Sequence, residues 1–211
     1  GTSWTILVGR SIRYQPGGNM SSLMLAGAYS DREKAAETAV RTGGINLAAT
    51  SAETNHLPFA SLVLAVTDEL DLFVGDADAG SYLVCERPIK NTPLLQLTKE
   101  NQPGSIGIFT MVANADLGAR ESDRHWRDKH APLALEVHTA MTHYYQLSVL
   151  QRFNGPVWNG FALCCFRNED DLRNRFFNTP EGETAIARDV AKFADPRKSP
   201  RRVLSTFAQT G

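Results

Sequence analysis

THYYQLSVLQRFNGPVWNGFALCCF, residues 142–166, is the stretch whose reading decides the fold. It reads as two strands, 142–153 and 157–166, joined by a turn at Asn154-Gly155-Pro156. Successive strand side chains point to opposite faces, so Tyr145, Leu147 and Val149 share one face. Tyr144, Gln146, Ser148, Leu150 and Arg152 share the other. On the N-terminal side, "SIGIFTMVA" (105–113) is a β-branched and aromatic run typical of a strand, and 119–138 carries helical spacing. On the C-terminal side, 168–194 is helical with a break at "NTPEG", where Thr179 can cap and Pro180 can take the first helical position. "RRVLSTFA" (201–208) is a last strand. The order is β-α-β-β-α-β, the ferredoxin-like plan.

The preceding half reads as a weaker copy. "WTILVGRSI" (4–12) and "SSLMLAGA" (21–28) are strand-like around the turn "QPGGN". Ser30-Asp31-Arg32-Glu33 has the form of a capping box opening a helix to about Thr42, which Gly43-Gly44 closes. "INLAATSA" (45–52) and "FASLVLAVT" (59–67) follow as strands, then an expected helix near 68–78 and the strand "SYLVCERPI" (81–89). The expected class is therefore α+β, built from two tandem ferredoxin-like halves, 1–89 and 105–211, with 90–104 as a linker. No residue-by-residue repeat is visible, so the duplication rests on element order. A four-stranded sheet with helices on one face leaves its other face bare. Two such halves can cover each other, within the chain or across a homodimer, as an α+β barrel. The mixed face of 142–153 then reads either as a lining wet enough for a ligand or as part of a sheet–sheet interface.

Composition narrows the function. The chain has 211 residues, is 42% hydrophobic and 21% charged, and carries a net charge of -1, as ordinary globular proteins do. No run of Lys or Arg exceeds two residues, so nucleic acid is not an expected partner. The longest apolar stretches, such as "FASLVLAV" (59–66), fall far short of the roughly 20 residues of a membrane span. No charged segment leads into a long apolar one, so no secretory leader is expected. The three cysteines, Cys85, Cys164 and Cys165, show no CxxC spacing and suit a reducing, cytoplasmic setting.

Three of the five histidines lie in "HWRDKHAPLALEVH" (125–138). At about 100° per residue, Trp126, His130, Leu133 and Val137 share one narrow face. His125 falls about 140° from His130 and His138 about 80°. A helical metal pair needs spacing such as i,i+4, so spacings of five and eight across Pro132 give no metal site. His130 is left between a Trp and a Leu, either as a hydrogen-bonded core group or as an acid/base. Pro132 cannot donate to the carbonyl of Asp128, so the helix is loosened one turn from His130. A partly buried imidazole beside such a break can be tuned for general acid–base work. His56, in the "TNHLP" turn, reads as a surface residue, and His143 as a candidate pocket rim.

Trp126-x-x-x-His130-Ala131-Pro132-Leu133 resembles the signature of the EthD domain, of the dimeric α+β barrel superfamily. The family's later pattern, an Asp and a Phe four apart closing the second helix, is matched by Asp189 and Phe193, with Asp195 just beyond. The likeness covers 105–208; residues 1–89 lack the motif and would be a degenerate copy. Ser122 and Asp123 stand where family members often carry an aromatic residue. The resemblance implies cofactor-independent lyase, isomerase or monooxygenase chemistry on a small hydrophobic, aromatic or polyketide-like molecule. His130 would be the acid/base and Asp189 its orienting partner. Trp126 would be an apolar wall, Tyr144 or Tyr145 would hold a substrate oxygen, and His143 would stand at the rim. The alternative is a non-catalytic barrel that binds an apolar molecule or only oligomerises. Haem, which some barrels of this superfamily carry, has no support here beyond a helical histidine, and no cofactor is expected.

Overall fold

The computed structural model describes residues 22–50, 57–199 and 203–207. The strand expected at 4–12, the turn "QPGGN" and His56 lie outside them. The first set of elements is β1 (Ser22–Tyr29), α1 (Arg32–Thr42), β2 (Ile45–Ala49), β3 (Ser61–Ala65) and β4 (Gly80–Lys90). The second runs β5 (Ser105–Met111), α2 (Gly118–His125), a π turn (Trp126–His130), α3 (Ala131–Val137), β6 (Met141–Asn154) and β7 (Gly160–Phe166). It ends with α4 (Glu169–Asn174), α5 (Pro180–Phe193) and β8 (Val203–Phe207). The class is α+β, and the strands close a barrel in the order β1-β3-β2-β8-β5-β7-β6-β4, every neighbouring pair antiparallel. Closure is made inside one chain, where β2 meets β8 and β4 meets β6. Within each set of four the spatial order is the same: second, third, first, fourth strand.

Local chemistry sets both ends of α1 and the start of α5. Thr179 caps α5 by accepting from the Gly182 N–H, with Pro180 in the first turn. Gly43 closes α1 in the left-handed conformation, φ 62°. The cap that opens α1 is Asp31, one residue later than expected, where its carboxylate accepts from both the Glu33 and Lys34 N–H groups. The helix expected near 68–78 is instead a chain of turns. Gly75, at φ 79°, breaks it, and two of its acids bond outward, Asp76 accepting from Tyr29 and Thr38 and Asp78 from the Ser30 N–H. Phe73 within those turns is buried against Gly27, where an added Cβ would stand 2.7 Å from its ring.

The barrel interior takes the apolar alternate residues. Met24, Leu47, Leu62, Leu64, Val84, Ile106, Ile108, Tyr145, Leu147, Phe161 and Leu163 form one buried cluster with Phe59, Tyr82 and Trp158. The segment after β4 is no open linker: a short 3-10 turn, Leu94–Gln96, lays Leu94 into that same cluster. Tyr145 donates to the Thr92 carbonyl at 2.5 Å beside it. One carboxyl shares this interior. Glu86, paired with Leu147 across the β4–β6 ladder, is fully buried, and its Oε1 accepts from the Leu94 N–H at 2.8 Å. Burial pushes its carboxyl up, and that single hydrogen bond offsets this only in part.

The mixed face of β6 is neither an open lining nor a sheet–sheet interface. Sheet meets sheet inside the barrel, and the apolar set of β6 points there. Tyr144, in the buried cluster with Ala131, Ala134 and Val137 of α3, lies instead under the helical layer outside. Gln146 and Ser148 lie there too, bonded to Trp126 and Asp123.

Candidate functional site

The helix expected over 119–138 is broken into three pieces, and the break makes the site. Trp126–His130 is a π turn in which the Ala131 N–H reaches back to the Trp126 carbonyl. Pro132 supplies the cause. Lacking an N–H, it leaves the Asp128 carbonyl without its helical donor, and the chain takes up an extra residue before α3 restarts. In i→i+5 bonding, residues five apart share a face. His125 and His130 therefore both turn toward α5, where a uniform 100° wheel separates them.

On α5 they meet one carboxylate. His125 Nε2 stands 2.8 Å from Asp189 Oδ1, and His130 Nδ1 stands 2.9 Å from Asp189 Oδ2. Phe193, one turn on, stacks on His125 at 5.5 Å between centroids and lies tilted against His130 at 4.9 Å. Burial works against ionising Asp189, but the two imidazoles outweigh it and hold the carboxyl below its usual range. Burial likewise lowers His130, with the attraction of Asp189 opposing it. The side chains of His130 and Asp189 are only 9% and 10% exposed, against 22% for His125. That difference assigns the outer position. His125 walls a cleft of about 210 Å³ with Leu117, Glu121, Arg124, Asp128 and Lys129.

The sheet side of the same helix is gripped by polar groups. Trp126 is buried over β7, where Gly160 makes room; a Cβ there would stand 2.5 Å from the indole. Arg87 of β4 forms a two-pronged pair with Asp123, both contacts 2.8 Å, and its guanidinium lies 5.3 Å from the Trp126 ring centre. Burial raises the Asp123 carboxyl, yet the bonds and charge of Arg87 bring it below its usual value. Arg87 Nε also donates to Gln146 Oε1 at 3.1 Å, and Gln146 Nε2 donates to the Trp126 carbonyl at 2.9 Å and to the Tyr144 hydroxyl at 3.1 Å. The Tyr144 phenol is pushed far up by burial.

Of the residues read from sequence as a site, the structure brings together His130, Asp189 and Trp126, with Tyr144 beneath them. Tyr145 and His143 do not join them. They stack on each other at 6.2 Å, on the barrel-interior side of β6, because odd and even residues of one strand cannot share a face. His143 is lowered by burial and bonds Thr142. His125, Arg87, Asp123 and Gln146 were not legible as site residues. The signal for His125 was its spacing of five from His130 across a helix that Pro132 loosens. A larger cleft, about 610 Å³, is floored by Phe109, Phe176 and Phe177 near the start of α5, and neither His125, His130 nor Asp189 lines it. Among the described residues, no group of three or more His, Cys, Asp or Glu is placed to hold a metal. Among those residues, too, no helix is long and apolar enough to cross a membrane.

Comparison with known proteins adds two findings. Residues 114–197, the segment holding both imidazoles and the carboxylate, match a family model described as "EthD domain". A solved structure, "Crystal structure study of anthrone oxidase-like protein", superposes with a TM-score of 0.57 at 10% identity, covering 90% of this chain and 91% of that one. At that identity the likeness is one of fold. No curated protein matches the sequence.

Proposed function

We propose that this chain belongs with the EthD-domain proteins of the dimeric α+β barrel superfamily, whose family model its residues 114–197 match, and that it moves a proton on a small aromatic or polyketide-like molecule, with His125 as the group that meets it. The observation that carries the reading is the Asp189 carboxylate shared by two imidazoles, one of which walls a cleft. With Nε2 turned to Asp189, Nδ1 of His125 is the nitrogen left to meet a substrate. Neutral His125 takes a proton there, and the fixed carboxylate beside Nε2 stabilises the imidazolium that forms. His130, buried behind, holds the other carboxylate oxygen and keeps Asp189 ionised and in place. The acid/base role read from sequence for His130 thus passes to its more exposed neighbour. Removal of an acidic proton beside a carbonyl or phenol is a first step common to cofactor-independent lyases, isomerases and oxygenases. The cleft is smaller than the roughly 300–1,000 Å³ of ordinary ligand pockets, which favours a single ring or one end of a larger molecule.

Two further points belong to this reading. The shared strand order of the two sets supports tandem ferredoxin-like halves, so that one chain acts as its own pseudo-dimer. The reducing, cytoplasmic setting read from the absence of CxxC spacing belongs to the same proposal. A second reading, a barrel that only binds an apolar molecule, draws on the larger cleft with its three-phenylalanine floor.

The neighbour's name suggests anthrone, whose ring CH₂ is acidic, as a first probe. Deuterium exchange at that carbon, followed by NMR, is expected to be accelerated by the protein and to fall by about 10²-fold or more in folded His125→Gln. Exchange that His125→Gln leaves unchanged, or binding without any acceleration, would favour the second reading.

A further inference from the structure

We infer that Arg87, which lies on β4 outside the EthD-matched segment, is a positioning residue for the His125–Asp189–His130 site, acting through the amide of Gln146 on the first carbonyl of the π turn. The inference rests on the proposed function only for what the two imidazoles do.

The chain of contacts has a direction. An Arg side chain only donates, so the Gln146 atom that Arg87 Nε meets at 3.1 Å is the amide oxygen. That fixes the amide: its NH₂ must face the other way, toward the Trp126 carbonyl at 2.9 Å. The same carbonyl accepts the Ala131 N–H, the i→i+5 bond that defines the π turn. With both acceptor sites of Trp126 taken, the turn is held at its first residue. Gln146 is fully buried, so an amide turned the wrong way would set its NH₂ against the Arg87 Nε–H and its oxygen against the Trp126 carbonyl, with no solvent to relieve either clash.

The remaining arms of Arg87 grip the helix one turn earlier. Both terminal nitrogens pair with Asp123, which also accepts from Ser148 Oγ at 2.7 Å. The guanidinium thus contacts the residue three before Trp126 and lies over the Trp126 ring itself. Clamped on its sheet side at Asp123 and Trp126, the helix can keep its extra residue between Trp126 and His130. That extra residue is what carries His125 round to the same carboxylate as His130. A strand of the first half thereby sets the geometry of a site housed in the second.

The test reads the imidazoles directly. Gln146→Leu removes the amide. Arg87→Lys keeps a positive charge opposite Asp123 but loses the fixed Nε–H, and it serves if Gln146→Leu does not fold. The histidine titration read by ¹H–¹⁵N NMR is expected to shift by about half a unit or more at His130 in a folded variant. His143, on the other face of β6, is expected to stay put and reports any general loosening. Folded variants in which His130 titrates as in the unaltered protein would overturn the inference, as would an equal shift at His143. Anthrone exchange separates the two claims. Shifted titrations in a protein that never accelerates exchange would leave the positioning intact and sink the proposed reaction. Exchange that depends on His125 but is indifferent to Arg87 and Gln146 would do the reverse.

Discussion

Asp189→Asn is expected to cut anthrone exchange by about 10²–10⁴-fold and to make the fold more sensitive to acid. The isosteric amide keeps the shape but not the charge, and it cannot accept from both imidazoles. One oxygen can still serve His125 or His130, while the NH₂ forces the other ring to present a bare nitrogen. The imidazolium formed at His125 would then face a dipole instead of a carboxylate. Stability should fall by about 2 kcal/mol or more, since charge-assisted bonds in a largely buried site are lost. Its pH dependence has a definite sense. His130 is lowered by burial and held partly up by Asp189. The unfolded chain therefore binds more protons than the folded one as pH falls through about 6.5, and stability drops across that window. Without the carboxylate His130 sinks further, so the penalty of Asp189→Asn should be larger at pH 5.5 than at pH 8, both values chosen to bracket about 6.5. In the unaltered protein Asp189, held below its usual range, adds stability above about pH 3.9 that is lost on further acidification. Urea denaturation at several pH values measures both; a penalty independent of pH would contradict the assignment.

Trp126→Ala should be the most destabilising single change in the helical layer, costing about 3–5 kcal/mol. The indole is 2% exposed and packs with Met111, Phe193 and Ala194, with Gly160 beneath it. A glycine-floored site cannot collapse onto an alanine, because backbone, not side chain, lies below. The substitution also removes the ring under Arg87. Trp126→Phe, which keeps an aromatic body, should recover more than half of the loss. Thermal melts of the two variants measure this, and a loss below about 1 kcal/mol for Trp126→Ala would mean that the helix is not seated on Gly160 as described. Trp126 thus supports the site from beneath, and its burial leaves little of it to form the pocket wall expected from sequence.

What could be read in advance, and what could not, follows from the range of the forces. The alternation of Tyr145, Leu147 and Val149 along β6 is a period-two signal, and the structure puts those residues inside the barrel. The Thr179–Pro180 start of α5 is a local cap, written within four residues. The helix expected near 68–78 does not form, because Gly75 takes a positive φ in the middle of it. The site was harder. Its defining contacts join residues 59 and 64 positions apart, and Arg87 reaches Gln146 across 59 more. No spacing rule reports such pairings. The histidine geometry also failed for a specific reason, since a constant 100° per residue cannot be carried across a π turn. Pro132 was the visible warning. Its lost hydrogen bond was legible, but the direction in which the chain would absorb it was not.

The central claim is that one carboxylate holds both imidazoles, each by a particular nitrogen. Long-range ¹H–¹⁵N NMR of the unaltered protein at about pH 7.5, above the ordinary histidine range, reads this directly. His130 is expected to be neutral with its proton on Nδ1, the nitrogen 2.9 Å from Asp189 Oδ2, and His125 to carry a proton on Nε2, 2.8 Å from Oδ1. A His130 protonated on Nε2 with a bare Nδ1, or a His125 with no proton on Nε2, would contradict it.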